Sequence, residues 1–457
     1  MAVHPIDFRY GSKEMRSIWE EEARLQKMLD VEAALALALA DLKKIPEKDA
    51  LEIKKKAHTG FVKLERVKEL EAETKHDVMA LVKALTEQCG ESGKYVHLTA
   101  TSYDIVDTAL ALQLRDSLEI ILGKGKKLLE TVLDFAEKHE KLVMVGRTHG
   151  QHAIPITLGF KFANYADKLG MGLDNLVWDK ENLVRGKFSG AVGNYAAQKA
   201  LGIDGGMLEE KVMEKLGLQK ADISTQVVAR ENLARILSDL AIFCCTIEQV
   251  ANEVRNLQRT EIGELSEGFG EKQVGSSTMA QKKNPINAEN ICSNVRVIRS
   301  VVYPALENIA LEHERDLTNS AAERAILPTA FLLADEVIAR MTRVVQGLEV
   351  SEENIKKNLE LTRGGILAEA IITKLVEKGV GRQEAHELLR KSSHEAMREG
   401  KNLGKVLEEN GVAKKFGKKE FEELLDYENY VGLSAEKTHE IVLKWRKQLR
   451  DWSQVGG

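Results

Sequence analysis

Eleven residues, Gly275-Ser276-Ser277-Thr278-Met279-Ala280-Gln281-Lys282-Lys283-Asn284-Pro285, gather the groups that bind and activate an anion. Gly270 and Gly275 break the helical pattern before them. Two hydroxyls follow, then two lysines, then an Asn-Pro that starts a new element. A loop of this make-up offers backbone N–H groups, hydroxyls and cations to a negatively charged ligand. Taken alone, Lys282-Lys283 also reads as a solvated loop tip.

Three further polar clusters fall where helices should begin or end. They are His97-Leu98-Thr99-Ala100-Thr101-Ser102-Tyr103-Asp104, Gly146-Arg147-Thr148-His149-Gly150-Gln151-His152, and His313-Glu314-Arg315-Asp316 with Ser320 and Arg324. Ser320 and Arg324 stand one turn apart and share a helix face. Each cluster also has a structural reading. Thr101-Ser102 suits a helix N-cap with Asp104 in the first turn. Arg315 and Arg324 suit solvated helix charges. His149 and His152, at i and i+3, lack a carboxylate or cysteine at ligand spacing, so no metal is expected.

The elements that must carry these clusters are helices. Of 457 residues, 43% are hydrophobic and 30% charged, enough to bury a substantial core. Only six are proline, and none lies between Pro155 and Pro285, which permits long helices. Leu233, Ile236, Leu240, Phe243, Ile247, Val250, Val254 and Leu257 follow a 3-4 spacing, the mark of helices packed nearly parallel. A helix is predicted over about 225–265, with Ser224 or Thr225 as N-cap. Others are predicted over about 157–185 and 286–312. Val143–Val145 is the one strand candidate. Glycines divide the flanks into shorter helices. The expected fold is therefore all-α, in three parts: a helical domain over 1–98, a long-helix bundle over 99–346 and a helical domain over 347–457.

A net charge of −5 gives no electrostatic reason to expect nucleic acid or an acidic membrane as partner. The apolar run Val31–Ala40 is too short to span a bilayer. The opening stretch has no apolar signal core, and four cysteines without ligand spacing suit reduced thiols, so a cytoplasmic location is expected.

The 275–285 loop resembles the signature of the fumarate-forming lyases, the fumarase/aspartase superfamily, with Ala280 where the family usually has Pro. The resemblance covers nearly the whole chain. Several motifs are similar to the adenylosuccinate lyase branch: Arg9-Tyr10-Gly11-Ser12, Lys75-His76-Asp77-Val78, Thr101-Ser102-x-Asp104, Gly146 to Ala153, Ser224-Thr225-Gln226, and His313 to Arg324. Gln281-Lys282-Lys283 instead looks like argininosuccinate lyase, which remains the rival enzyme. A non-catalytic helical-bundle relative is the rival from another class.

The resemblance implies elimination of fumarate from a succinyl-amine nucleotide, with no cofactor. It implies Ser276 as the base and His149 as the acid. Types alone would equally allow a nucleophilic serine with a histidine partner. Thr101, Ser102, Ser277, Lys282, Lys283 and Asn284 would meet the succinyl carboxylates. Arg9, Tyr10, Arg315, Ser320 and Arg324 would hold the phosphate and sugar, since a guanidinium fork suits phosphate. Lys75, His76, Asp77, His97 and Gln226 would contact or orient these groups, and Glu289 would pair with Lys282 or hold His149. The resemblance also implies a homotetramer whose active sites are shared between subunits.

Overall fold

The computed structural model describes residues 6, 8–270, 278–279 and 281–454, and most of these residues are helical. They form two compact units. The first comprises Met1–Gly125, Gly172–Cys245 and Ser293–Ile338; the second comprises Lys126–Met171, Thr246–Cys292 and Ala339–Gly457. No described helix is long and apolar enough to cross a membrane.

In the first unit the helix Glu21–Asp41 buries Leu25, Met28, Leu29, Leu35, Ala38 and Leu39, the stripe that a helical period turns inward. That stripe shares one core with Leu81 and Leu85 of Asp77–Cys89, with Leu208 and Val212 of Gly205–Leu216, and with Ile105 and Leu112 of the long helix Ser102–Lys138. Glu32 sits in the apolar stripe, buried, because His97 Nδ1 lies 2.6 Å from its carboxylate.

The predicted seam is a real core. All eight of its residues are buried, on a helix that spans Arg230–Leu257. The helix begins later than its pattern suggests. Gln226 N–H donates to Glu314 O at 3.2 Å and Val228 N–H to Asp107 Oδ2 at 2.9 Å, so tertiary partners take the donors an earlier start would need. Ser224 is thus no N-cap; its hydroxyl meets that of Ser189 at 2.7 Å. Thr225 is not one either, since its hydroxyl donates to Val227 O at 3.3 Å. The helix predicted near 157–185 is Leu158–Asn182, and that near 286–312 is two pieces, Ile286–Ser300 and Val302–Glu307.

In the second unit a two-stranded antiparallel hairpin joins Val143–Thr148 to Gln151–Thr157. The strand candidate is thereby extended and given a partner. Phe135 packs on Phe162 with ring centroids 4.4 Å apart, and Trp445 of the helix Ser434–Gln454 covers Gly170. A Cβ there would fall 2.3 Å from the indole, so only glycine fits. A small separate core holds Leu375, Leu389, Leu407 and Phe421.

One buried group in the first unit makes stability sensitive to pH. Asp179, on Leu158–Asn182, is fully buried; Arg235 Nε stands 3.4 Å from it and 3.5 Å from Asp239. Burial, then the charge and hydrogen bond of Asp239, push the Asp179 carboxyl up to about 7. The folded state therefore holds this proton more tightly than the unfolded chain does. Stability from this source is full below the ordinary carboxylate range and is lost as pH rises through about 7. Unfolding free energy should fall by on the order of 2–4 kcal/mol between pH 5 and pH 8, and Asp179→Asn should flatten that fall. Denaturant titrations at both pH values test this; an unchanged slope in the variant would exclude Asp179 as its source.

Candidate functional site

Three groups of candidate residues emerge, one in the first unit and two in the second. In the first unit, Lys75 ends the helix Leu64–Thr74 with φ +55°, and His76 caps the next helix by accepting Met79 N–H at Nδ1, 3.2 Å away. This sharp break presents Asp77, whose Oδ2 lies 3.2 Å from Arg324 Nη2 and 3.8 Å from Arg24 Nη2. Ser320, one turn before Arg324 on the helix Thr318–Gln346, meets Tyr103 Oη at 3.4 Å. The Arg315 guanidinium lies 3.6 Å over the Tyr103 ring and donates to Gln226 Oε1 at 2.7 Å. Gln226 is itself held, donating to Ala191 O at 2.9 Å. Arg324, Ser320, Arg315, Gln226, Asp77 and His76 are therefore neighbours, with cations outnumbering free carboxylates. Arg9 and Tyr10 lie in a turn of the same unit, before the helix Lys13–Trp19.

Buried ion pairs anchor this group from below. The Asp104 and Lys187 side chains are both fully buried, with Lys187 Nζ 2.5 Å from Asp104 Oδ1. The same oxygen accepts Ser189 and Gly190 N–H at 3.1 and 3.2 Å, while Oδ2 accepts Thr101 N–H at 2.8 Å. Thr101 and Ser102 are thus fixed at a helix start, as their spacing predicted. One turn on, Asp107 receives two donors of Arg230 at 2.8 Å each, and Arg230 Nε also reaches Glu323 at 3.0 Å. His97 is held to Glu32, whose hydrogen bond and charge raise its pKa although burial opposes this.

In the second unit, His149 and Gly150 are the two central residues of the hairpin turn, with φ +53° and +72°. A two-residue turn with both φ positive matches the twist of the flanking strands and raises the His149 side chain clear of them. The imidazole is exposed. Below it Arg147 grips Glu264 through two bonds of 2.8 and 2.6 Å, and Asn358 donates to Glu264 at 2.8 Å. Gly146 makes the strand bulge possible: a Cβ there would sit 2.8 Å from Ile154 O.

The second group in that unit is a cleft of about 800 Å³. Arg255, Arg259, Lys282, Lys283, Asn284 and Glu289 line it. Four cations face one carboxylate there, which suits an anionic ligand. Lys283 O accepts Gln258 Nε2 at 3.1 Å, tying the loop end to the cleft wall. Ser276 and Ser277 lie outside the described residues. Among the described residues, no three His, Cys, Asp or Glu side chains are grouped to hold a metal ion.

The sequence reading missed Arg24, Tyr103 as a stacking platform, and Lys187. Only Lys187 left a signal: a lysine inside the glycine-rich run Gly186 to Gly193, where an exposed cation needs no such close backbone.

A sequence family described as "Lyase" matches residues 8–299, and one described as "Adenylosuccinate lyase C-terminus" matches residues 364–441. The adenylosuccinate lyase of Pyrococcus horikoshii is 52% identical over 100% of both chains. That of Pyrococcus abyssi is 52% identical over 97% of this chain and 98% of its own. Among solved structures, a fumarate lyase from Mesorhizobium sp. BNC1 aligns with TM-score 0.86 and 28% identity over 94% of this chain and 98% of its own. A 3-carboxy-cis,cis-muconate lactonizing enzyme from Pseudomonas putida aligns with TM-score 0.88 and 30% identity over 97% of this chain and 99% of its own.

The anchor beneath Thr101 and Ser102 is testable. Lys187→Met should strand the Asp104 carboxylate and cost about 3–5 kcal/mol. The double variant Asp104→Asn/Lys187→Met should recover part of that loss, because no unpaired charge remains. Denaturant unfolding of both decides it, and a double variant no more stable than the single would contradict the ion-pair account.

Proposed function

The chain belongs to the adenylosuccinate lyase family, and from that premise we propose that it eliminates fumarate from adenylosuccinate, giving AMP, and from the related succinyl-carboxamide ribotide. The observation that carries this is the 52% identity to an adenylosuccinate lyase across the full length of both chains. The enzyme is a carbon–nitrogen lyase.

In the proposed reaction Ser276, as alkoxide, removes a proton from the succinyl carbon next to a carboxylate. The electron pair left behind forms the C=C bond of fumarate as the C–N bond breaks. His149 gives its proton to the departing nitrogen. Serine is a poor base at its ordinary pKa, so loop N–H groups and Lys282 would stabilise the alkoxide. Lys282, Lys283 and Asn284, with Thr101, Ser102 and Ser277, would receive the carboxylates and the charge that develops between them. Arg9, Tyr10, Arg315, Ser320 and Arg324 would hold the phosphate and sugar. Lys75, His76, Asp77, His97, Gln226 and Glu289 would orient these groups.

We also propose a homotetramer with active sites shared between subunits. Met171, Ile242 and Val297 are exposed apolar side chains on long helices, which supports burial against other copies. In this reading the parts 1–98, 99–346 and 347–457 remain the working domains, and the enzyme is cytoplasmic, which suits four free cysteines.

Fumarate release from adenylosuccinate and argininosuccinate, offered in parallel, tests the substrate. Fumarate from adenylosuccinate alone is expected; fumarate from argininosuccinate alone would instead favour the Gln281-Lys282-Lys283 resemblance. Ser276→Ala and His149→Gln should each lower kcat by about 10²–10⁴. Mixing the two inactive variants under subunit exchange should restore measurable turnover, and persistent inactivity would argue against shared sites.

A further inference from the structure

Two arginines of the first unit compete for a single oxygen. Arg324 Nη2 and Arg24 Nη2 stand 3.2 and 3.8 Å from Asp77 Oδ2. The other oxygen, Oδ1, is committed to the helix start, accepting Val78 N–H at 2.8 Å. One carboxylate oxygen cannot satisfy two guanidinium forks. The local balance is two positive charges against one, and the side chains remain a third or more open to solvent, at 34% for Arg24 and 59% for Arg324.

Both arginines line a pocket of about 240 Å³ with Trp19, Tyr103 and Ser320. Its two carboxylates are already engaged. Glu21 takes Lys68 at 2.5 Å, and Glu323 takes Arg230 at 3.0 Å. Two guanidiniums and the Ser320 hydroxyl give this pocket its donors, beside an apolar wall of Val106, Leu110, Leu327 and Pro328. It fits an anion with several charged oxygens, as in a phosphate monoester.

We propose that Arg24 is a specificity-determining residue of this site, forming with Arg324 a two-arginine clamp on the substrate's phosphate. Asp77 holds the two guanidiniums together when no phosphate is bound, and yields part of that contact when one is. A neutral nucleoside gains nothing from the second arginine, so Arg24 makes the site select phosphorylated substrates. The inference rests on the proposed reading that the substrate is a nucleotide.

Steady-state kinetics on purified enzyme test it, comparing adenylosuccinate with its dephosphorylated nucleoside. Arg24→Gln should lower the nucleotide-to-nucleoside ratio of kcat/KM about 10–100-fold, the worth of a hydrogen bond to a charged group, with the loss in KM. Arg24→Lys should restore part of it. An unchanged ratio, or equal losses with both substrates, would overturn the proposal and leave Arg24 as a prop for Asp77. Calorimetric binding of inorganic phosphate to wild type and Arg24→Gln separates the two readings. Without any fumarate from adenylosuccinate, the functional reading fails, yet weaker phosphate binding to Arg24→Gln still upholds the clamp and equal binding rejects it.

Discussion

The buried ion pair of Asp104 and Lys187 is the contact on which the first unit's candidate site depends. Neither side chain reaches solvent, so each charge persists only because the other is 2.5 Å away. Asp104 also accepts three backbone N–H groups, from Thr101, Ser189 and Gly190. One carboxylate thereby joins a helix start to a glycine-rich loop. Thr108 fastens the same loop a turn later, its hydroxyl donating to Lys187 O at 2.8 Å. Tyr103 sits between these fixed points, and its ring carries Arg315. The orientation of an accessible guanidinium is therefore set, through one aromatic ring, by a charge pair that no ligand touches.

The same logic recurs at each exposed candidate. Glu323 is clamped by the buried Arg230, and Arg324, the next residue, turns outward to Asp77. Arg147 is locked on the buried Glu264, two residues before the exposed His149. An anchor beside each presented group lowers the freedom that group would lose on binding. Backbone strain marks the same places. Of the eight non-glycine residues with positive φ among those described, five lie in the candidate motifs: Lys75, His97, Thr99, His149 and His313. Each costs roughly 1–3 kcal/mol and persists because its surroundings over-determine it. For His97 that surrounding is Glu32, which takes both its N–H, at 3.1 Å, and its ring nitrogen, at 2.6 Å.

What the sequence disclosed follows the range of the forces involved. The seam from Leu233 to Leu257 was legible because burial along one helix repeats with a fixed period. Thr101-Ser102-x-Asp104 was legible as a helix start because a cap and its acidic partner are three residues apart. The start at Arg230 was not legible, since Asp107, 121 residues away, takes the backbone donor that would have extended the helix. The hairpin was hidden because His-Gly lacks the Asn-Gly signature of its turn, while the left-handed φ of His149 is imposed by paired strands. Arg24 was invisible for a similar reason. On its helix it is one more charge among Glu21, Glu22 and Lys27, and nothing local distinguishes it. Its meaning arises only where Arg324, 300 residues along the chain, lines the same pocket and Asp77, 53 residues along, meets both guanidiniums. A chemical group written in short-range spacing can be read from sequence; one made by convergence of distant charges cannot, and in this protein the charges nearest the presented groups are mostly of that second kind.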